Sequence, residues 1–286
     1  MSDTYTIIEN RCLDEERALY ASHHAEIVNC RFEGPADGES ALKESKDIRV
    51  RDCSFFLRYP FWHNDRVEIA STYMADTCRA ALWYSTGITI RRGDFHGIKV
   101  LRECRDVDIA ESVVESVECG WFCHNVKVSR SRMCGEYLFF QSGGLNIDHL
   151  QMQGKYSFQY VQGGEIRDSY LDTKDAFWHS KNMTVVNSVV KGEYLGWYSD
   201  NLRLVNCKII GTQPLCYATN LTLENCEMIG TDLSFEYSDV NATVTNVIDS
   251  VKNPKSGSIR AKGIGEIIFD DHRIDAGNCQ IQLEQG

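Results

Sequence analysis

The feature that most constrains this chain is an internal repeat of 19 residues. The segment Gly196-Trp197-Tyr198-Ser199-Asp200-Asn201-Leu202-Arg203-Leu204-Val205-Asn206-Cys207-Lys208-Ile209 recurs as Leu215-Cys216-Tyr217-Ala218-Thr219-Asn220-Leu221-Thr222-Leu223-Glu224-Asn225-Cys226-Glu227-Met228. Taking Cys207 as the reference position, its equivalents without insertion are Gly93, Ser112, Ser131, Leu150, Ser169, Ser188, Cys207 and Cys226. Upstream the frame loosens slightly, through Cys30, Cys53 and Thr72.

Three residues before the reference stand Ile27, Val50, Ile69, Ile90, Ile109, Val128, Ile147, Ile166, Val185, Leu204 and Leu223. Two residues after it stand Phe32, Phe55, Met74, Phe95, Val114, Met133, Met152, Leu171, Val190, Ile209 and Met228. Both columns are wholly apolar. Between them lie Arg49, Glu68, Asp108, Lys127 and Arg203, so the pattern alternates with the period of a half-buried strand.

Two further columns read as turns. Asp47, Asp106, Asn125, Asn182, Asn201 and Asn220 suit a left-handed or Asx-turn slot. Gly34, Gly97, Gly135, Gly154, Gly192, Gly211 and Gly230 suit a second bend with positive φ. Three short strands with their turns fit a 19-residue coil, whereas a helical repeat needs about 30 residues or more and a 3.6 period. The expected fold class is all-β, a parallel β-helix (β-solenoid) of about twelve coils.

With few prolines and no linker, one domain is expected over residues 1–286. Residues 1–18 are predicted to cap the N-terminal end, 19–238 to form regular coils, and 239–286 to form the last coils and a C-terminal cap. Caps are required because solenoid ends expose strand edges and core.

A small polar ladder, Ser22, Ser45, Asn64, Ser85, Cys104, Cys123, Ser142, Ser180 and Ser199, is expected to point inward. Stacked Cys104/Cys123 and Cys207/Cys226 would lie ~4.8 Å apart, one strand spacing, which is wider than a disulfide's Cβ separation. They are read as free core thiols. No pair of C-x2-C elements supports zinc, and no other motif calls for a metal or cofactor.

A net charge of −11 without a basic block argues against a nucleic-acid partner. No apolar run approaches the ~20 residues of a spanning helix, and the first residues lack signal-peptide character. The expectation is a cytoplasmic protein that makes no use of the membrane and keeps its thiols reduced.

Several stretches together resemble a bacterial family known as domain of unknown function 3737. They are Gly192-Glu193-Tyr194-Leu195-Gly196-Trp197, Lys174-Asp175-Ala176-Phe177-Trp178, Arg79-Ala80 followed by Leu82-Trp83-Tyr84-Ser85, Phe235-Glu236-Tyr237-Ser238 and Asp249-Ser250-Val251-Lys252-Asn253-Pro254. The resemblance covers nearly the whole chain. It implies a right-handed, single-stranded parallel β-helix of the pectate-lyase-like kind, and it carries no activity or catalytic residues. Residues 101–118 depart most from the family pattern.

One column, ten residues before the reference, holds all five tryptophans: Trp62, Trp83, Trp121, Trp178 and Trp197. Its neighbour holds Leu42, Phe61, Leu82, Leu101, Phe139, Phe158, Phe177 and Leu215. Strand alternation allows only one of them inside. Lys43, Arg102 and Gln159 share the tryptophan column, so that column is expected outside. A charged column (Glu136, Lys155, Lys174, Glu193) runs beside it and reads either as a salt-bridge ladder or as one wall of a groove.

Aromatic faces, paired acids and cations are what carbohydrate sites use. The favoured reading is a protein that binds or processes a carbohydrate or small acidic sugar, with glycoside hydrolase or polysaccharide lyase-like activity as its enzymatic form. Asp175, Glu193 and Glu236 are the candidate catalytic acids. Lys174, Trp178, Tyr194 and Trp197 are candidate binding residues, and Lys43, Glu44, Arg79 and Trp83 form a smaller second cluster. His63 and His179 are read as ordinary residues. The competing reading is a non-catalytic scaffold that binds another protein or a second copy of itself, giving a homo-oligomer.

Overall fold

The computed structural model describes residues 4–34 and 38–284. By backbone proximity these fall into two compact units, Met1–Gly143 and Gly144–Gly286. Each unit is a parallel β-solenoid. Apart from one short 3-10 turn at Ala276–Asn278, the regular structure among the described residues is strand.

In the first unit Thr6–Glu9, His23–Val28, Lys46–Arg51, Asp65–Ala70, Thr86–Arg91 and Arg105–Ala110 pair in that order, each parallel to the next. The register Ile90↔Ile109 keeps the repeat of the sequence. A second side is built from Cys12–Leu13, Arg31–Phe32, Ser54–Phe55, Tyr73–Met74 and Asp94–Phe95. In the second unit the first side runs Gln162–Arg167, Lys181–Val186, Asp200–Val205 and Leu221–Ile229. Beyond it the strands lengthen into Asp239–Lys252 and Ser256–Ile268, after a register shift between Leu223 and Cys226. The columns expected inside are inside: Ile27, Phe32, Phe55, Ile90, Ile109, Leu204 and Met228 are all at most 2% exposed.

The third side of the coil is not a strand, contrary to the sequence expectation. Among the described residues Leu82–Trp83 and Leu101–Arg102 pair there as strands, with single bridges at Glu39↔Arg58 and Arg102↔Trp121. Elsewhere it is a run of turns in which left-handed residues recur every second position, as at Asp175 (φ 52°), Phe177 (63°) and His179 (53°). Such residues flip successive amides to one side, so Tyr59, Phe61 and His63 all donate N–H to the next coil, to Arg79, Ala81 and Trp83 carbonyls (3.2, 2.9 and 2.9 Å). Phe235-Glu236-Tyr237-Ser238 belongs to the same kind of turn.

The Asp/Asn column behaves as expected: Asp47, Asp106, Asn125, Asn182, Asn201 and Asn220 all have φ between 52° and 55°. The glycine column owes more to crowding than to φ. A Cβ on Gly211 would stand 2.1 Å from the Gly192 carbonyl oxygen, and one on Gly135 would stand 2.1 Å from that of Ser116.

The small polar ladders close hydrogen bonds that the corners would leave open. Ser188 Oγ accepts the Ser169 amide (3.0 Å) and donates to the Val186 carbonyl (2.7 Å). Ser85 likewise accepts from the Asn64 amide at 3.0 Å. Cysteine can stand in this slot because its thiol makes the same two contacts more weakly, as Cys53 does toward the Cys30 amide (3.3 Å). All twelve cysteines are free, and those in the ladders are buried.

Candidate functional site

The third side of the coil sets the site, because its left-handed residues break strand alternation and turn two successive side chains outward. The tryptophan column is one of these. Each tryptophan is half-buried, while Leu42, Phe61, Phe158, Phe177 and Leu215 beside it are at most 1% exposed. The indole N–H groups reach across to the next coil: Trp62 to Ala80 O (2.6 Å), and Trp83, Trp121 and Trp197 to Lys99, Tyr137 and Gln213 carbonyls (2.7 Å each). Trp178 alone of the five has its indole nitrogen buried without a partner.

The second outward column, nine residues before the reference, escaped the sequence reading. In the second unit it is a continuous ladder. Tyr160 stacks on His179 (5.1 Å), His179 on Tyr198 (4.9 Å) and Tyr198 on Tyr217 (4.8 Å), with Tyr217 5.4 Å from Tyr237. His179 is therefore a rung, and burial pushes its pKa down. His63 is a rung too, stacked on Tyr84 at 4.9 Å. The signal was present in the sequence as a column of Tyr, His and Phe at the same 19-residue spacing beside the tryptophans.

Lys174 and Glu193 form an ion pair at 2.8 Å, which holds the lysine's pKa up, and the ammonium lies 5.0 Å from the Tyr194 ring centroid. Glu236 pairs with Lys252 at 3.2 Å, and Lys252 also faces Asp270 at 3.6 Å. Asp175 is half-buried, and this desolvation raises its carboxyl pKa, helped by Glu193 and opposed by Lys174. Trp178 lies against His179 (5.8 Å) and Tyr198 (6.4 Å), while Trp197 meets Tyr194 and Tyr217 edge-on (both 5.3 Å). Thus Lys174, Asp175, Glu193 and Tyr194 come together, as do Trp178, Trp197 and the ladder. Glu236 belongs to a separate ion-pair group with Lys252.

The second cluster is divided. Trp83 stacks on Trp62 at 5.1 Å with planes 4° apart, and Lys43 lies 5.9 Å over the Trp62 ring. Glu44 accepts the Tyr20 hydroxyl at 2.6 Å. Arg79 instead lines a cavity of about 670 Å³ with Phe56, Arg58, Asp76 and Ile98.

For metals, Asp148, His149 and Asp168 are the one trio among the described residues whose ligand atoms gather within 4.8 Å. His149 Nδ1 already bonds Asp148 (2.9 Å), and the group is largely exposed. Among the described residues no helix is long and apolar enough to cross a membrane.

A family model described as a protein of unknown function (DUF3737) matches residues 6–282. A search of curated proteins finds no match. Among solved structures the chain is similar to PfbA, a surface adhesin of Streptococcus pneumoniae, at 8% identity and TM-score 0.48, covering 84% of this chain and 82% of that one. It is also similar to the A-module of the mannuronan C-5 epimerase AlgE4 of Azotobacter vinelandii, at 11% identity and TM-score 0.25, covering 96% and 87%. A mutant of the periplasmic alginate epimerase AlgG gives 9% identity and TM-score 0.33, covering 98% and 74%. Likenesses at this level speak to neither ligand nor activity.

Proposed function

We propose that this chain, which belongs to the DUF3737 family of proteins of unknown function, binds a carbohydrate along the outward aromatic columns of its coils. The observation that supports this reading is the aromatic corner itself. Tyr84, Tyr160 and Tyr198 are 38–41% exposed in columns that recur coil after coil. Such rows of exposed rings are unfavourable in water unless something covers them. In the second unit, Tyr hydroxyls and the His179 imidazole offer hydrogen bonds beside apolar ring edges, and the Lys174–Glu193 pair and Asp175 border the strip.

The same geometry favours binding over hydrolysis. A two-carboxylate mechanism needs one protonated acid and one free base or nucleophile. Asp175 suits the acid, since desolvation raises its pKa. Glu193 and Glu236 are each held by a lysine, which suits them to orient sugar hydroxyls. A screen of the purified protein against glycans and oligosaccharides tests the reading.

The scaffold reading keeps one specific observation in its favour. Rings of the ladder cover each other's faces, and four indole N–H groups are bonded to backbone, which is what a purely structural zipper would do. Absence of any glycan ligand together with concentration-dependent self-association would support it.

A further inference from the structure

A ring inside a continuous ladder has neighbours against both faces, so a guest ring can be sandwiched between two rings only where the ladder is interrupted. In the first unit the column runs His63, Tyr84, Glu103, Phe122 and Gln141. Tyr84 has His63 on one side (4.9 Å), and one coil further on a carboxylate takes the place of the next ring. Glu103 leans to Arg102 (3.3 Å to Nε), and both side chains line the space beside Tyr84 and Phe122. The result is a cavity of about 680 Å³ lined by Tyr84, Thr86, Arg102, Glu103, Arg105, Phe122 and His124. That volume lies within the range of ordinary small-ligand sites.

Each part of the cavity follows from the coil. Tyr84 and Phe122 are its walls, two strand spacings or about 9.6 Å apart. A ring midway would stand about 4.8 Å from each, inside the range at which ring centroids associate. The ladder's own rings stand 4.8–5.1 Å apart, so one ring fills that height. Arg102 closes the back, its guanidinium 5.1–5.7 Å from the Trp83, Trp121 and Phe122 rings. The floor is the paired row Thr86, Arg105 and His124, all exposed. Among the described residues no carboxylate pairs with Arg105, although most cations of the chain are paired.

We propose that this interruption is a subsite for one pyranose ring bearing a carboxylate, seated as the missing rung between Tyr84 and Phe122. Arg105 takes the carboxylate, and Glu103 accepts from ring hydroxyls. The proposal rests on the carbohydrate reading but places a ring subsite in the first unit.

The test uses the full chain, titrated by calorimetry with glucuronate and galacturonate oligosaccharides and with their neutral counterparts. Glu103→Tyr supplies the missing ring, and the backbone there already matches that of Tyr84 (φ 51° and 56°). This variant should lose at least tenfold in affinity with an unchanged or higher melting temperature. Arg105→Gln should abolish the preference for acidic over neutral sugars. If Glu103→Tyr does not fold, Phe122→Leu removes one wall and should weaken binding comparably. Binding that survives all three changes overturns the subsite while leaving the carbohydrate reading intact. Failure of the unaltered protein to bind any sugar overturns both.

Discussion

The imidazole of His179 lies face to face with the Tyr198 ring, centroids 4.9 Å apart and planes 11° from parallel. The two residues are one coil apart, so the contact repeats the strand spacing with side chains. Together with Tyr160, Tyr217 and Tyr237 they form an outer zipper parallel to the inner one, where Phe158 stacks on Phe177 at 5.1 Å. Each contact of this kind is worth about 0.5–1.5 kcal/mol beyond the area it buries.

The tryptophans are expected to divide by the fate of their indole nitrogen. Trp83→Phe keeps most of the ring but loses the bond to the Lys99 carbonyl, and should cost about 1 kcal/mol. Trp178→Phe removes a buried donor that has no partner, so it should be neutral or stabilising. Urea denaturation of the two variants checks the contrast.

Asp175 should make stability depend on pH in a defined direction. Its folded pKa is raised, chiefly by burial. Its contribution is therefore fully present below the unfolded value and is lost as pH rises through the folded one. Asp175→Asn should be more stable than the unaltered protein at neutral pH, and the difference should vanish toward pH 3. Melting temperatures measured across that range decide it.

Thiol chemistry should follow burial. Cys12 is exposed and Cys134 half-buried, whereas the other ten cysteines are buried. Burial pushes the Cys53, Cys119 and Cys216 thiols up to about 12, which suppresses the reactive thiolate. A chromogenic disulfide reagent should modify Cys12 quickly, Cys134 slowly and the remainder only after unfolding. A reductant should leave the melting temperature unchanged.

Backbone handedness gives a further contrast. Asn201 is left-handed (φ 55°) and bonds Asn182 through its amide (2.8 Å). Asn201→Val should cost roughly 1–2 kcal/mol or more, and Asn201→Gly considerably less. Gly211→Ala should be worse than either, because its Cβ would meet a carbonyl of the preceding coil. Thermal melts of the three variants test the order.

The fold was legible because the repeat prints each inward column many times, so one odd residue such as Gly93 cannot mask Ile90 or Phe95. The third side was misread for a physical reason. Aromatic residues such as Tyr198 and Tyr217 rarely take left-handed φ, and nothing in their identity announces it. That error hid the outward column that holds His63, His179 and the ladder tyrosines, because strict alternation leaves room for only one outward side chain. For the site, residue types showed that Lys174, Glu193, Trp178 and Trp197 share a neighbourhood. They did not show that Glu193 is paired with Lys174 while Glu236 is paired with Lys252.

The most direct test of the carbohydrate reading is a glycan and oligosaccharide binding screen of the purified full chain, followed by the double change Asp175→Asn with Glu193→Gln. The account predicts saturable binding of at least one sugar class, and loss of binding to the second unit's face in the double variant with little change in melting temperature. No binding to any glycan, or a large loss of stability in the double variant with binding unchanged, would contradict it.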